Sequence, residues 1–146
     1  MFKHILISTD GSPLSDKASK AGIALARALG AKVTAYCALE ELQHIDVEGY
    51  AFDQKTFDGL EEGARQVGQK RVDAIGKIAK AASVPFAVVV TKASTAYEGI
   101  IDAAKKQKCD LIFMASHGRR GLSKLIMGSV TQRVLTHSKI PVVVYR

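Results

Sequence analysis

Five short apolar runs constrain this chain more than any other feature: HILIST at 4–9, KVTAYCAL at 32–39, FAVVV at 86–90, LIFMA at 111–115 and PVVVY at 141–145. Their apolar residues are largely continuous instead of falling at every second position, which is the pattern of strands covered on both faces. Between them lie segments with helical spacing. Residues 14–29 carry Ala18, Ala21, Leu25, Ala28 and Leu29 on one predicted face, and residues 60–82 carry Ala64, Val67, Val72, Ile75 and Ile78 or Ala79. A third helix is predicted over 96–107, with Tyr97, Ile100, Ile101 and Ala104, and a fourth over 130–137. Alternating strand and helix predicts an α/β fold, with right-handed crossovers and a parallel sheet between two layers of helices. For five strands this gives a doubly wound five-stranded parallel sheet of order 3-2-1-4-5. Its winding reverses between strands one and four, and ligands bind there, outside the carboxyl ends of the strands.

The punctuation agrees with that plan. Ser12 is a natural cap before Pro13 in a first helical turn, and Gly30 closes the same helix. Ser94 and Thr95 open the third helix. Gly63, Gly68 and Gly76 are expected to weaken the second one locally. Residues 40–58 mix acids with Tyr50, Phe52 and Phe57 without a clean period. They read as a long connection, mobile in part, and loops of that length in compact domains are often functional.

At 146 residues the chain reads as a single domain, 1–146, long enough to bury a full core. No apolar run approaches the roughly 18 residues of a membrane span. The first residues turn polar too soon for a signal peptide, so a cytoplasmic protein without membrane partners is expected. Cys37 and Cys109 show no C-x-x-C spacing and read as buried reduced thiols. The four histidines, His4, His44, His117 and His137, form no metal-ligand pattern. Tyr36, Tyr97 and Phe113 read as core residues, and Arg133 as a surface residue.

Charge is distributed unevenly. The chain carries a net charge of +7, yet after Asp110 there is no acidic residue, while Arg119, Arg120, Lys124, Arg133, Lys139 and Arg146 follow. Such a field favours polyanions without separating a nucleotide from a nucleic acid. Its centre is the stretch 115–129, ASHGRRGLSKLIMGS, between the fourth strand and the fourth helix. Glycines there let backbone N–H groups approach a phosphate, and a helix N-terminus adds unpaired donors and a positive dipole end. Ser129 is placed to cap that helix or to hold a phosphate oxygen. The P-loop pattern G-x-x-x-x-G-K-[ST] and the dinucleotide pattern G-x-G-x-x-G are both missing.

What does match is A-x2-G-x9-G-S, at Ala115, Gly118, Gly128 and Ser129. It resembles the G-x2-G-x9-G-[ST] signature of the ATP-binding branch of the universal stress protein family. Ala115 stands where that pattern has its first glycine; its methyl group is a small intrusion, and ligand contact is expected to survive it. Ser8, Thr9 and Asp10 resemble the family's strand-one ending, which sets an aspartate beside the adenosine. The alternative for Asp10 is a turn aspartate before Pro13. By the same resemblance the backbone of Ala38 meets the adenine. Ala115, Ser116 and His117 line the ribose side, and Gly118, Gly128, Ser129, Val130 and Thr131 surround the phosphates.

The resemblance implies ATP as ligand, with or without magnesium. It also implies a small cytoplasmic protein active in stress survival, slow or absent hydrolysis, and a homodimer through the last strand, Val142–Tyr145. An exposed, β-branched sheet edge invites the same pairing on physical grounds. No nucleophile–base pair or paired carboxylates mark an enzyme. Two other readings stay open. One is a nucleotide-free interaction module, for which Ala115 speaks. The other is a single-stranded RNA binder, whose G-x-x-G clamp would be Gly118 to Gly121; a clamp of that kind joins two helices, whereas this one follows a strand.

Overall fold

The computed structural model describes residues 1–41, 53–119 and 126–146. Its sheet has the order β3-β2-β1-β4-β5, and each neighbouring pair is parallel. The strands are β1 (His4–Ser8), β2 (Lys32–Glu40), β3 (Phe86–Ala93), β4 (Leu111–Ala115) and β5 (Val142–Tyr145). The helices are α1 (Pro13–Leu29), α2 (Gln54–Ala81), α3 (Ala96–Lys106) and α4 (Ser129–His137). The predicted fold class and strand order therefore hold. So do the helix signals at the ends of α1: the Ser12 hydroxyl accepts from Ser15 N at 3.2 Å, and Gly30 adopts the left-handed conformation that L side chains rarely take.

Two cores lie on opposite faces of the sheet. Ile5, Ile7, Val33, Ala35 and Phe113 face α1 and α2, whose Ala18, Ile23, Val72 and Ile75 complete that layer. Leu6, Tyr36, Ile112 and Met114 face α3 and α4, with Ile100, Ile101 and Val134. Strands β1 and β4 are buried at every position, as continuous apolar runs require. Strand β3 is different. It forms one edge, with Phe86 43% exposed, so its unbroken apolar sequence does not mark a covered strand.

The helix faces also depart from expectation, for a packing reason. The buried stripe of α1 is Ser15, Ala18, Ser19, Gly22, Ile23 and Ala26, while Ala28 and Leu29 are exposed. Small residues face the sheet because the helix lies close against it. A Cβ added to Gly22 would stand 2.9 Å from Ile7 Cδ1 and 3.2 Å from Phe113 Cδ1. Helix α2 repeats the theme with Gly68, Val72, Ile75, Gly76 and Ala79 buried and Val67 exposed. Two of its three predicted weak points are contact points: a Cβ at Gly76 would meet Phe86 Cε2 at 2.6 Å, and one at Gly68 would meet Leu39 Cδ2 at 2.8 Å. Gly63 faces open space.

Helix α2 begins at Gln54, earlier than predicted, because the Asp53 carboxylate caps it by accepting from Thr56 N at 2.8 Å. That shortens the expected 40–58 connection; residues 42–52 of it lie outside the described residues. Cys37 and Cys109 are free and buried, and burial raises the thiol pKa of Cys109 to about 11. Tyr36 and Phe113 are core residues, whereas Tyr97 is partly exposed, with the Arg133 guanidinium 5.4 Å from its ring centre. Among the described residues no helix is long and apolar enough to cross a membrane.

Candidate functional site

Strand β1 ends at Ser8, and the chain turns through Thr9, Asp10 and Gly11 into α1. Sharp turns of this kind need local acceptors. The Thr9 hydroxyl accepts from Gly11 N at 3.1 Å and lies 3.1 Å from the Ser15 hydroxyl. Asp10 Oδ1 accepts from Ser12 N at 2.9 Å. Ser8 and Thr9 are buried and Asp10 is half-buried, which leaves the carboxylate as the exposed chemical feature of the turn.

The other oxygen of Asp10 reaches across to the neighbouring strand's loop. Arg119 N donates to Asp10 Oδ2 at 3.0 Å, a link between residues 109 apart in sequence. Burial alone would raise the carboxyl pKa. Hydrogen bonds from Ser12, from the Arg119 backbone and from Ser15 outweigh it and hold Asp10 below its ordinary value, so the crevice floor is anionic at neutral pH. Gly118 sits against that same oxygen. Any Cβ there would collide with Asp10 Oδ2, so the close approach of the two loops requires glycine.

The return into α4 is equally tight. Gly128 N donates to Ser116 O at 2.8 Å, and the Thr131 hydroxyl donates to Ala115 O at 2.9 Å. Ser116 N donates to Tyr145 O at 2.7 Å, tying the loop's start to β5. Gly128, and not Ser129, is the N-cap of α4, and no side chain caps that end among the described residues. Ser129 is the first helical residue and is exposed. A nine-residue helix therefore presents its positive end at the crevice, with N–H groups of Ser129 and Val130 available to an anion.

Several predicted roles change on this geometry. A Cβ at Gly128 would stand 3.1 Å from His117 Cα, so this glycine lets the loop pack closely on itself. The hydroxyl of buried Thr131 is held by Ala115 O, which leaves its amide as the group to offer. The His117 ring lies with Nδ1 3.1 Å from the Ser116 hydroxyl. Ala38, partly buried on β2 beside Thr91 of β3, is packed against the second core. Arg120, Gly121, Ser123 and Lys124 lie outside the described residues, and with them half of the proposed G-x-x-G clamp.

One crevice residue escapes a periodicity reading altogether. Arg71 of α2 lies over the bare turn at Gly11, where an added Cβ would meet Arg71 Nε at 2.5 Å. It also reaches 4.0 Å from Cys37 Sγ on β2. The available signal was its place in the stripe 68, 71, 72, 75, 76 and 79, where a charge interrupts small and apolar residues.

Comparison with known proteins agrees with the fold. The profile described as the universal stress protein family matches residues 1–146. A universal stress protein of Methanocaldococcus jannaschii is 29% identical over 146 residues, covering 100% of this chain and 83% of that protein. One of Thermus aquaticus is 30% identical over 146 residues and covers 100% of both. Among solved structures, a second Methanocaldococcus jannaschii universal stress protein superposes with a TM-score of 0.83 at 25% identity, covering 99% of this chain and 96% of that one. A universal stress protein in complex with cAMP gives 0.72 at 21% identity, with 99% and 97% covered. One of Archaeoglobus fulgidus in complex with dAMP gives 0.65 at 14%, with 100% and 98% covered.

Proposed function

The chain belongs to the universal stress protein family, and from that premise we propose that it binds ATP, or a related adenine nucleotide, in the crevice between β1 and β4. The observation that carries this reading is the hydrogen bond from Arg119 N to Asp10 Oδ2, which joins the two strand-end turns at the point where the winding of the sheet reverses. On one side lies a carboxylate suited to accepting from ribose or base. On the other lies an uncapped helix N-terminus, flanked by a basic loop, suited to phosphates. The same fold holds cAMP and dAMP in two of the structures compared above.

Ser8, Thr9 and Asp10 would form the nucleoside side with the backbone of Ala38. Ala115, Ser116 and His117 would border the ribose, and Gly118, Ser129, Val130 and Thr131 would frame the phosphates through their amides and the Ser129 hydroxyl, while Gly128, its own amide given to Ser116 O, would hold the loop close to them. Magnesium fits as a companion of the phosphates, held chiefly by their oxygens. Both Asp10 oxygens already accept N–H bonds, and the described residues contain no cluster of three potential metal ligands. Among the described residues of the crevice, no base is placed against a nucleophile, and the role we propose is binding with slow turnover at most. Bound nucleotide would then alter the surface a cytoplasmic partner reads under stress.

Dimerisation through β5 belongs to the same proposal. Among the described residues that strand pairs only with β4 and has no strand at its other edge, with Val143 36% exposed. Mass spectrometry of nucleotide released from purified protein, followed by calorimetric titration with ATP, tests the ligand. Micromolar affinity is expected, reduced at least tenfold in Ser129→Pro, which removes one of the amides at the start of α4 while remaining compatible with a first helical position. No heat and no thermal shift at millimolar ATP would overturn the reading.

A further inference from the structure

The geometry points to an acid-sensitive latch at His4, which in its neutral form ties the start of β1 to the corner between α3 and β4 and on protonation lets that corner go. The inference stands apart from the nucleotide reading, because His4 lies at the opposite end of β1 from Asp10. His4 is 7% exposed and lies on the sheet face that carries α3 and α4, since Leu6, two residues on, packs in that layer. Its Nε2 lies 2.8 Å from the hydroxyl of Thr34, which is fully buried on β2. The ring's other polar neighbours are the backbone carbonyls of Gln107 and Lys108, in the turn that ends α3. A carbonyl only accepts, so the neutral ring gives its one N–H to them and its Nε2 accepts from Thr34. The main chain closes the same corner. Asp110 Oδ1 accepts from His4 N at 3.0 Å, Asp110 Oδ2 accepts from Lys3 N at 2.8 Å, and Asp110 N donates to His4 O at 2.9 Å.

This arrangement suits one protonation state. An imidazolium has two N–H donors and no acceptor, so Thr34 would have to turn its hydroxyl proton away from Nε2 where solvent does not reach. The partner left for that proton is the Cys109 thiol, a weak acceptor whose own pKa, raised to about 11 by burial, keeps it uncharged. Of the charges that act on the ring, Lys32 on β2 opposes the cation and Asp110 before β4 favours it. Burial and Lys32 outweigh Asp110 and the two carbonyls, and His4 titrates below its ordinary value of 6.5. The stability contributed by neutral His4 is therefore complete above pH 6.5 and is lost as pH falls through the lowered folded value. Asp10 and Asp110 are both held below the ordinary 3.8, so at about pH 5 to 6 the response at this corner belongs to the ring. Lys108 sits in the left-handed region at φ 55°, and its turn relaxes once the ring releases it.

Amide hydrogen exchange of the whole chain, read by NMR, tests the latch. The amides to follow are Cys109, which donates to Ala104 O, and Asp110, which donates to His4 O. Corrected for the intrinsic pH dependence of exchange, opening at these two should rise about threefold or more between roughly pH 7.5 and pH 5.5 in wild type. His4→Gln keeps a hydrogen-bonding side chain that does not titrate, and its opening should stay constant over the same range. The ring's own titration is a second readout, followed through its carbon-bound protons. Its midpoint is expected below 6.5 in wild type and higher by a few tenths of a unit (roughly 0.3) in Lys32→Gln, a change at an exposed position. A wild-type midpoint at or above 6.5 overturns the latch, as does acid-accelerated opening that persists in His4→Gln. If His4→Gln does not fold, the ring midpoint and its response to Lys32→Gln decide the matter, and a midpoint that Lys32→Gln leaves unmoved overturns it.

Discussion

Asp10 holds the crevice together because each of its oxygens accepts a backbone N–H from a different segment, Ser12 on one side and Arg119 on the other. Asp10→Asn keeps one acceptor and turns a donor toward the second amide, so a loss of about 1–3 kcal/mol is expected in urea unfolding at pH 7. The pH dependence has a definite sign. The folded carboxyl pKa lies below the ordinary value of 3.8, so the stabilisation is complete above that value and is lost as pH falls through the lowered folded pKa. The gap between wild type and Asp10→Asn should therefore be constant from pH 7 to about pH 5 and shrink below pH 4. A gap that widened in acid would remove the anionic carboxylate from the account.

Helix α2 provides a contrast between glycines of one element. Gly76 lies beneath Phe86 and Gly63 faces solvent. Gly76→Val must displace an aromatic ring at a sheet edge and is expected to cost about 1–3 kcal/mol. Gly63→Ala adds helix propensity at an open position and should raise stability by about 0.5–1 kcal/mol. Chemical denaturation of the two variants side by side checks both, and equal effects would mean that α2 does not pack on β3 as described. The same element carries Arg71 to the turn at Gly11. The stripe that packs α2 onto the sheet extends past the apolar layer to the strand ends, where Arg71 is its charged member.

For the molecule as a whole, the open edge of β5 sets the expectation of a dimer. Val143 faces outward in part, and a charge there opposes edge-to-edge pairing. Wild type is expected to run as a dimer in light scattering, and Val143→Lys as a folded monomer with nucleotide affinity within about threefold, because β5 meets the crevice at Tyr145, beside Ala115 and Ser116, and not at Val143. A monomeric wild type would sink the β5 interface. The excess of positive charge after Asp110 should also make triphosphate binding weaken with salt, as a basic field requires.

Strand number, parallel pairing, order and the facing of Asp10 by the glycine loop were all legible in the chain itself. They follow from local rules: continuous apolar runs, caps such as Ser12 and Gly30, and the handedness of crossovers. The buried helix faces were legible in part: Ala18, Val72, Ile75 and Ala79 are buried as predicted, but α1 and α2 approach the sheet so closely that Gly22, Gly68 and Gly76 join them while Ala28, Leu29 and Val67 stay exposed. The division of labour in the crevice was hidden for a similar reason. That Gly128 packs on His117, that the Thr131 hydroxyl serves Ala115 O, and that Arg71 reaches Gly11 from 60 residues away all depend on distances between segments. Sequence sets what each segment does alone; contact between segments remote along the chain exists only once the sheet has brought them together.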